Sequence, residues 1–314
     1  MKTSRMIIVI IAVFLVFLIG INSNKRESKP KIIVVLKTLD SDGQYWKIIE
    51  SGAKKAFHDF KIDGMVITPK HGVNDQADLL KNILKLKPDA LIVAPIQPSP
   101  IIPILEKYKR KNIPVLLVDT NLDWNGQTAY IGTDNYGLGE KCGELLGTML
   151  QPGDEVAFIY PTIVNGDMVN RLKGARSVLA ADGIKIIAEL PADNELGEVK
   201  RSLSNILGNY PNIKGIFAAT DIVANGTLKG LKEKGVKIPV VGTDGTMQII
   251  KYVENGEISA TIAQNPYDMG YISVEQAVKA MNRKTVNKKF DSGIDIIDKD
   301  NARTKIDFLT SVQK

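Results

Sequence analysis

Short β-branched apolar runs alternate with segments of helical period along almost the whole chain, and that alternation limits the fold more than any other feature. The runs fall at residues 32–36, 65–68, 90–94, 115–118, 128–131, 155–160, 184–190, 215–218, 238–242 and 259–263. Continuous apolar runs of this length suit strands buried on both faces of a parallel sheet. Between them, residues 44–60, 74–86, 135–150, 167–181, 195–207, 221–234 and 268–282 carry a helical pattern. In 74–86 the face is Ala77, Leu80, Ile83 and Leu84 behind an Asn74 cap. Gly183, Gly208, Gly235 and Gly256 stand where helices should end. The alternation predicts a doubly wound α/β architecture. The number of units exceeds one comfortable sheet, so two lobes are expected.

The first thirty residues follow a different rule. Lys2 and Arg5 precede an uncharged, almost wholly apolar run at 6–21, and 22–30 are polar. A basic start followed by an apolar run reads as an export signal. The run is slightly short of the roughly 20 residues of a spanning helix. No small-residue cleavage site follows, since Leu18-Ile19-Gly20-Ile21 is bulky, and the single cysteine, Cys142, is not there to take a lipid. An uncleaved membrane anchor is expected, with a cleaved signal as the alternative. Lys25, Arg26 and Lys29 on the far flank blur the positive-inside rule. One cysteine also means no internal disulfide. The leader explains the charge as well: residues 1–30 hold +4 of the chain's +6. The near-neutral remainder gives no electrostatic footprint for DNA or RNA.

In doubly wound sheets ligands bind at the carboxyl ends of the strands. The residues there include Lys37, Tyr45, Trp46, Ala94, Asp119, Thr120, Thr220, Asp221, Asp244 and Gln264. Carboxylates, amides and aromatic faces form the inventory a polyhydroxylated ligand needs. Strand-end loops of any α/β protein are polar, so position alone leaves the matter open. Catalytic patterns are missing. His58 and His71 have neither a candidate nucleophile nor metal-ligand spacing, and both read as surface residues. Gly137-Leu-Gly139-Glu-Lys-Cys-Gly143 is out of dinucleotide spacing and belongs to a helix start. Asp119 and Asp244 could pair for glycoside cleavage, a reading the resemblance below turns toward binding.

Ile238-Pro-Val-Val-Gly-Thr-Asp-Gly-Thr246 followed by Ile258-Ser-Ala-Thr-Ile-Ala-Gln264 closely resembles the ribose/galactose type of bacterial solute-binding protein (type I periplasmic binding proteins). Gln44-Tyr-Trp46, Ile113-Pro-Val-Leu-Leu-Val-Asp119, Tyr130-Ile-Gly-Thr-Asp-Asn135, Arg171-Leu-Lys-Gly174 and Ile216-Phe-Ala-Ala-Thr-Asp221 extend the resemblance across nearly the whole chain after Pro30. It is similar also to the core of lac-repressor-type regulators, but the hydrophobic leader stands where their DNA-binding helix-turn-helix would be.

The resemblance implies a non-enzymatic protein without a cofactor or metal, with two lobes joined by three hinge strands that close on a monosaccharide, a pentose or hexose. The crossings should fall near Thr133, Gln264 and Asp291. The N-terminal lobe is then 31–132 plus 265–291, and the C-terminal lobe 133–264 plus 292–314. Tyr45 and Trp46 would stack on the sugar ring, Asp119 and Asp244 would accept from its hydroxyls, and Gln264 would bond it at the hinge. Thr220 and Asn194 take positions where the family offers an amide and an aromatic residue. Thr120 and Val169 replace arginines of the family, and Ala94 an asparagine, so ribose itself does not follow. Lys37 either supplies a missing donor or snorkels at a strand end. The partner is the permease of an ABC importer or, alternatively, a histidine kinase to which a membrane-held sensor reports.

Overall fold

The computed structural model describes residues 29–39, 44–70, 73–122, 124–162, 165–192 and 196–313. The leader at 6–21 and Asn194 therefore lie outside the described residues, as does His71. No helix among the described residues is long and apolar enough to cross a membrane. Lys31–Lys314 form one compact unit.

The described residues contain twelve strands and ten helices. In chain order they are β1 Lys31–Val35, α1 Gln44–Asp59, β2 Asp63–Ile67, α2 Val73–Lys85, β3 Ala90–Val93, α3 Pro98–Arg110, β4 Val115–Val118 and β5 Ala129–Gly132. Then come α4 Asn135–Gly147, β6 Glu155–Pro161, α5 Gly166–Ala181, β7 Lys185–Ala192, α6 Leu196–Asn209, β8 Gly215–Ala218, α7 Asp221–Lys234 and β9 Val240–Val241. The chain finishes with α8 Met247–Glu254, β10 Ala260–Gln264, α9 Pro266–Met281, β11 Lys289–Asp291, β12 Ile294–Asp298 and α10 Ala302–Val312.

Two parallel sheets organise these elements. One has the order β11-β5-β4-β3-β1-β2 and the other β7-β6-β8-β9, with β10 and β12 as a separate antiparallel pair. Both parallel sheets place their first strand between their second and third, so each has a switch point beside that strand. The continuous apolar runs are explained by two-sided burial. Ile32 and Val34 face one core with Ile92 and Leu116, while Ile33 and Val35 face another with Leu91 and Leu117. In the second sheet Ala157, Ile159 and Ile216 face one side, and Val156, Phe158 and Phe217 the other. Each such Ile, Leu or Phe contributes about 1.5–3 kcal/mol when fully buried.

Two helix pairs touch backbone to backbone. A Cβ added to Gly139 of α4 would lie 2.0 Å from the Arg171 carbonyl oxygen of α5, and one on Gly52 of α1 the same distance from that of Tyr267 in α9. The glycine-rich segment at 137–143 is thus a helix-packing surface.

Several local expectations are corrected. Helix α3 was not read, because Pro98, Pro100 and Pro103 interrupt it. Pro98 takes the first turn, where no amide donor is needed. Burial of Ile101, Ile104, Leu105 and Tyr108 outweighs the cost of Pro103. Helices α8 and α10 and strands β11 and β12 also went unread. Strand β9 is shorter than 238–242: it is an edge strand and Pro239 has no amide to give, although its carbonyl still accepts from the Ile216 amide at 2.9 Å. Asn74 lies inside the first turn of α2. Gly208 is inside α6, whereas Gly235 ends α7 with φ 67°.

The chain passes between the cores of the two parallel sheets at three places, and these are bonded side by side. Ser292 donates its amide to the Gly132 carbonyl at 2.8 Å, and Asp134 donates its amide to Asp291 Oδ1 at 3.1 Å. Asn265 Nδ2 donates to the Ser292 carbonyl at 3.2 Å.

Candidate functional site

The carboxyl edge of the first sheet gathers Lys37, Tyr45, Trp46, Asp119 and Thr120. Asp119 follows β4 with φ 65°, a left-handed conformation that short polar side chains tolerate better than most. Its Oδ1 accepts from the Tyr45 hydroxyl at 3.0 Å and its Oδ2 from the Thr120 hydroxyl at 2.9 Å. Lys37 Nζ donates to Thr120 Oγ1 at 2.7 Å and lies 3.7 Å from Asp119 Oδ2. The same ammonium sits 5.1 Å from the centre of the Trp46 ring, and Tyr45 meets Trp46 edge to face. Burial, and then the Asp119 and Asp244 carboxylates, push the Tyr45 hydroxyl well above its ordinary range, so it remains a donor.

The second sheet presents a different carboxylate. Asp244 follows β9 with φ 79°. Its Oδ1 accepts from Gln264 Nε2 at 2.6 Å and lies 3.4 Å from Arg171 Nη1, and its Oδ2 accepts from the Asp221 amide at 3.0 Å. Thr243 Oγ1 is 3.0 Å from the Ala219 carbonyl and 3.2 Å from Asp244 Oδ1, its one proton serving one of them at a time. Gln264 is buried, and its Oε1 accepts from the Thr133 hydroxyl at 2.6 Å. Burial and the Asp244 carboxylate push the Asp221 carboxyl well up, against a bond from the Thr246 amide.

The two edges meet. The Asn121 amide donates to Asp167 Oδ2 at 2.9 Å, joining the segment after Asp119 to the first turn of α5. Burial raises the Asp167 carboxyl, and the Asp119 charge adds to it. Thr220 caps α7, its hydroxyl oxygen accepting from the Val223 amide at 3.4 Å, so it serves the helix first. Ala94 is buried and Val169 exposed, and neither offers a side-chain donor. A cavity of about 610 Å³ lies elsewhere, against β12, α9 and α10, and shares only Gln264 with the residues expected at the site.

Sequence reasoning missed Arg171, Thr243 and Gln76 as parts of this neighbourhood, whereas the strand-end segments 133–135 and 161–167 already placed Asn135 and Asp167 at the sheet edges. For Arg171 a signal existed. It falls in one stripe with Met168, Leu172, Ala175 and Leu179, all buried, where a charge needs a partner. Gln76 is fully buried, donates to the Ala94 carbonyl at 2.9 Å and accepts from the Ile96 amide at 3.0 Å, so it fixes the loop after β3.

A family model described as a periplasmic binding protein domain matches residues 32–285. The chain belongs to that family. This periplasmic binding protein is 27% identical over 280 residues to a ribose import binding protein of Haemophilus influenzae, covering 88% of this chain and 94% of that one. It is 28% identical over 260 residues to the D-allose-binding periplasmic protein of Escherichia coli, covering 79% of this chain and 83% of that one. A solved ABC transporter periplasmic solute-binding protein from Actinobacillus succinogenes with bound D-allose matches this binding protein with TM-score 0.81 and 28% identity, over 88% of this chain and all (100%) of the other. A glucose-galactose binding protein from Geobacillus stearothermophilus matches with the same TM-score of 0.81, 26% identity, and coverage of 88% and 99%. These relatives are solute-binding proteins, and the resemblance read from the residues is borne out, together with the type I fold and its parallel sheets.

Proposed function

We propose that this binding protein captures a monosaccharide outside the cytoplasm, between two closing lobes, and delivers it to an ABC importer. The lobes are 31–132 plus 265–291 and 133–264 plus 292–314, hinged at the three bonded passages near Thr133, Gln264 and Asp291. One observation carries the reading. Asp119 and Asp244 stand at the carboxyl edges of two different sheets, each held by protein donors, and the Tyr45 hydroxyl feels both charges. Two fixed carboxylates with aromatic rings beside them suit vicinal hydroxyls above an apolar C–H face. That the relatives named above are ribose, allose and glucose-galactose binders supports the same ligand class. The reading includes a membrane tether at residues 6–21.

Titration calorimetry of the full-length protein against a panel of pentoses and hexoses tests it. One sugar per chain at about 1 μM or tighter is expected. Small-angle scattering should show a smaller radius of gyration with that sugar, because contacts from both lobes favour the closed state. No heat from any member of the panel would refute the sugar reading.

A further inference from the structure

Arg171 lies in the apolar stripe of α5, yet its guanidinium reaches polar partners on three separate stretches of chain. Its Nε and Nη2 donate to Asn135 Oδ1 at 3.0 and 2.8 Å. Its Nη1 is 2.7 Å from the Ala219 carbonyl, 2.9 Å from Thr243 Oγ1 and 3.4 Å from Asp244 Oδ1. Asn135 opens α4 directly after the first passage between the sheets, Ala219 follows β8, and Thr243 and Asp244 follow β9. A planar fork of five donors fits such a junction, and an ammonium does not. At 6% exposure, with each of its three nitrogens already directed at protein acceptors, Arg171 is not placed to meet a ligand.

We propose that Arg171 is a positioning residue that fixes the Asp244 carboxylate for ligand binding without touching the ligand. The inference rests on the sugar-capture reading. Asp244 holds a left-handed backbone and lies against the buried Asp221, so its side chain needs external restraint. Arg171, Gln264 and Thr243 all approach Oδ1, whereas Oδ2 meets the Asp221 amide. The crowding of donors on one oxygen turns the remaining acceptor capacity of the other toward a ligand hydroxyl. The same guanidinium ties Asp244 to Asn135, and so sets this carboxylate relative to the passage on which the lobes turn.

The test is a double-mutant cycle in the full-length protein, read with whichever sugar of the panel gives the most heat. Arg171→Lys should weaken binding roughly ten-fold. In an Asp244→Asn background the same substitution should add less than about two-fold, because its effect runs through Asp244. An equal weakening in both backgrounds, or none in the first, overturns the assignment. Thr243→Val provides a second arm that spares the guanidinium, should Arg171→Lys fail to fold. It should weaken binding about three-fold alone and less in the Asp244→Asn background. Equal factors there overturn the assignment as well. If the wild type binds no sugar, the sugar reading fails by itself, and unfolding midpoints of the same four unliganded proteins decide the matter: non-additive midpoints uphold the coupling of Arg171 to Asp244, and additive ones overturn it.

Discussion

Asp119 and Asp244 invite comparison because so much about them is equal. Each follows a strand, each holds a positive φ, and each side chain is 16% exposed. Their restraints differ. Asp119 is held by the tips of Tyr45, Thr120 and Lys37, the last 26% exposed. Asp244 is held by the buried Arg171 and Gln264 and by a backbone amide. Buried partners cannot turn to water when a contact is lost, whereas a lysine at the rim can. The second carboxylate is thus the rigid anchor. Of the first carboxylate's partners Thr120 is buried as well, and the contact most open to exchange with water is that of Lys37.

The comparison breaks most readily at Asp244. Asp244→Ala leaves the Gln264 amide short of an acceptor and takes from the buried Arg171 guanidinium the carboxylate it pairs with, and should cost about 3 kcal/mol of stability. Sugar binding should fall ten-fold or more, since a hydrogen bond to a charged carboxylate contributes about 1.5–3 kcal/mol. Asp119→Ala is the matched control. Alanine is strained in the left-handed region by about 1–2 kcal/mol at both sites, so that cost cancels in the difference. Beyond it, losing the Tyr45 and Thr120 contacts should cost about 1 kcal/mol. Denaturant unfolding of the two variants measures the gap. Equal losses would show that the two shells restrain their carboxylates alike.

The contrast also explains what could be read in advance. Strand runs such as 32–36 and 115–118 were legible because two-sided burial demands unbroken apolar residues. Asp119, Asp244 and Gln264 were legible as strand-end positions, and their sheet-edge placement is what the architecture requires. Arg171 was not, because its contacts come from three stretches, with Asn135 36 positions away and Asp244 73 positions away. Nothing local announces such contacts beyond a charge in an apolar stripe. Helix α3 was hidden for a related reason: its prolines argue against a helix locally, and only burial of Tyr108 and its neighbours decides otherwise. The residues missed are those whose role depends on chain brought in from afar.

Lys37 carries the smallest effect and the finest distinction. Its ammonium donates to Thr120, faces Asp119 at 3.7 Å and caps the Trp46 ring at 5.1 Å, each contact partly open to water. An ion pair of this kind contributes about 0–1 kcal/mol, and a cation over an exposed ring about 0.5–1 kcal/mol. Methionine keeps the apolar stem against Trp46 while removing the charge. Lys37→Met should therefore change stability by less than about 1 kcal/mol, with part of the change lost at high salt. Its effect on binding should be about three-fold, smaller than that of Asp119→Ala, if the ammonium acts by holding Asp119 and Thr120. A ten-fold loss confined to some sugars of the panel would place the ammonium on a ligand hydroxyl instead, in the role of a specificity donor. No change with any sugar would leave Lys37 as a solvated strand-end lysine, with Asp119 restrained through Tyr45 and Thr120.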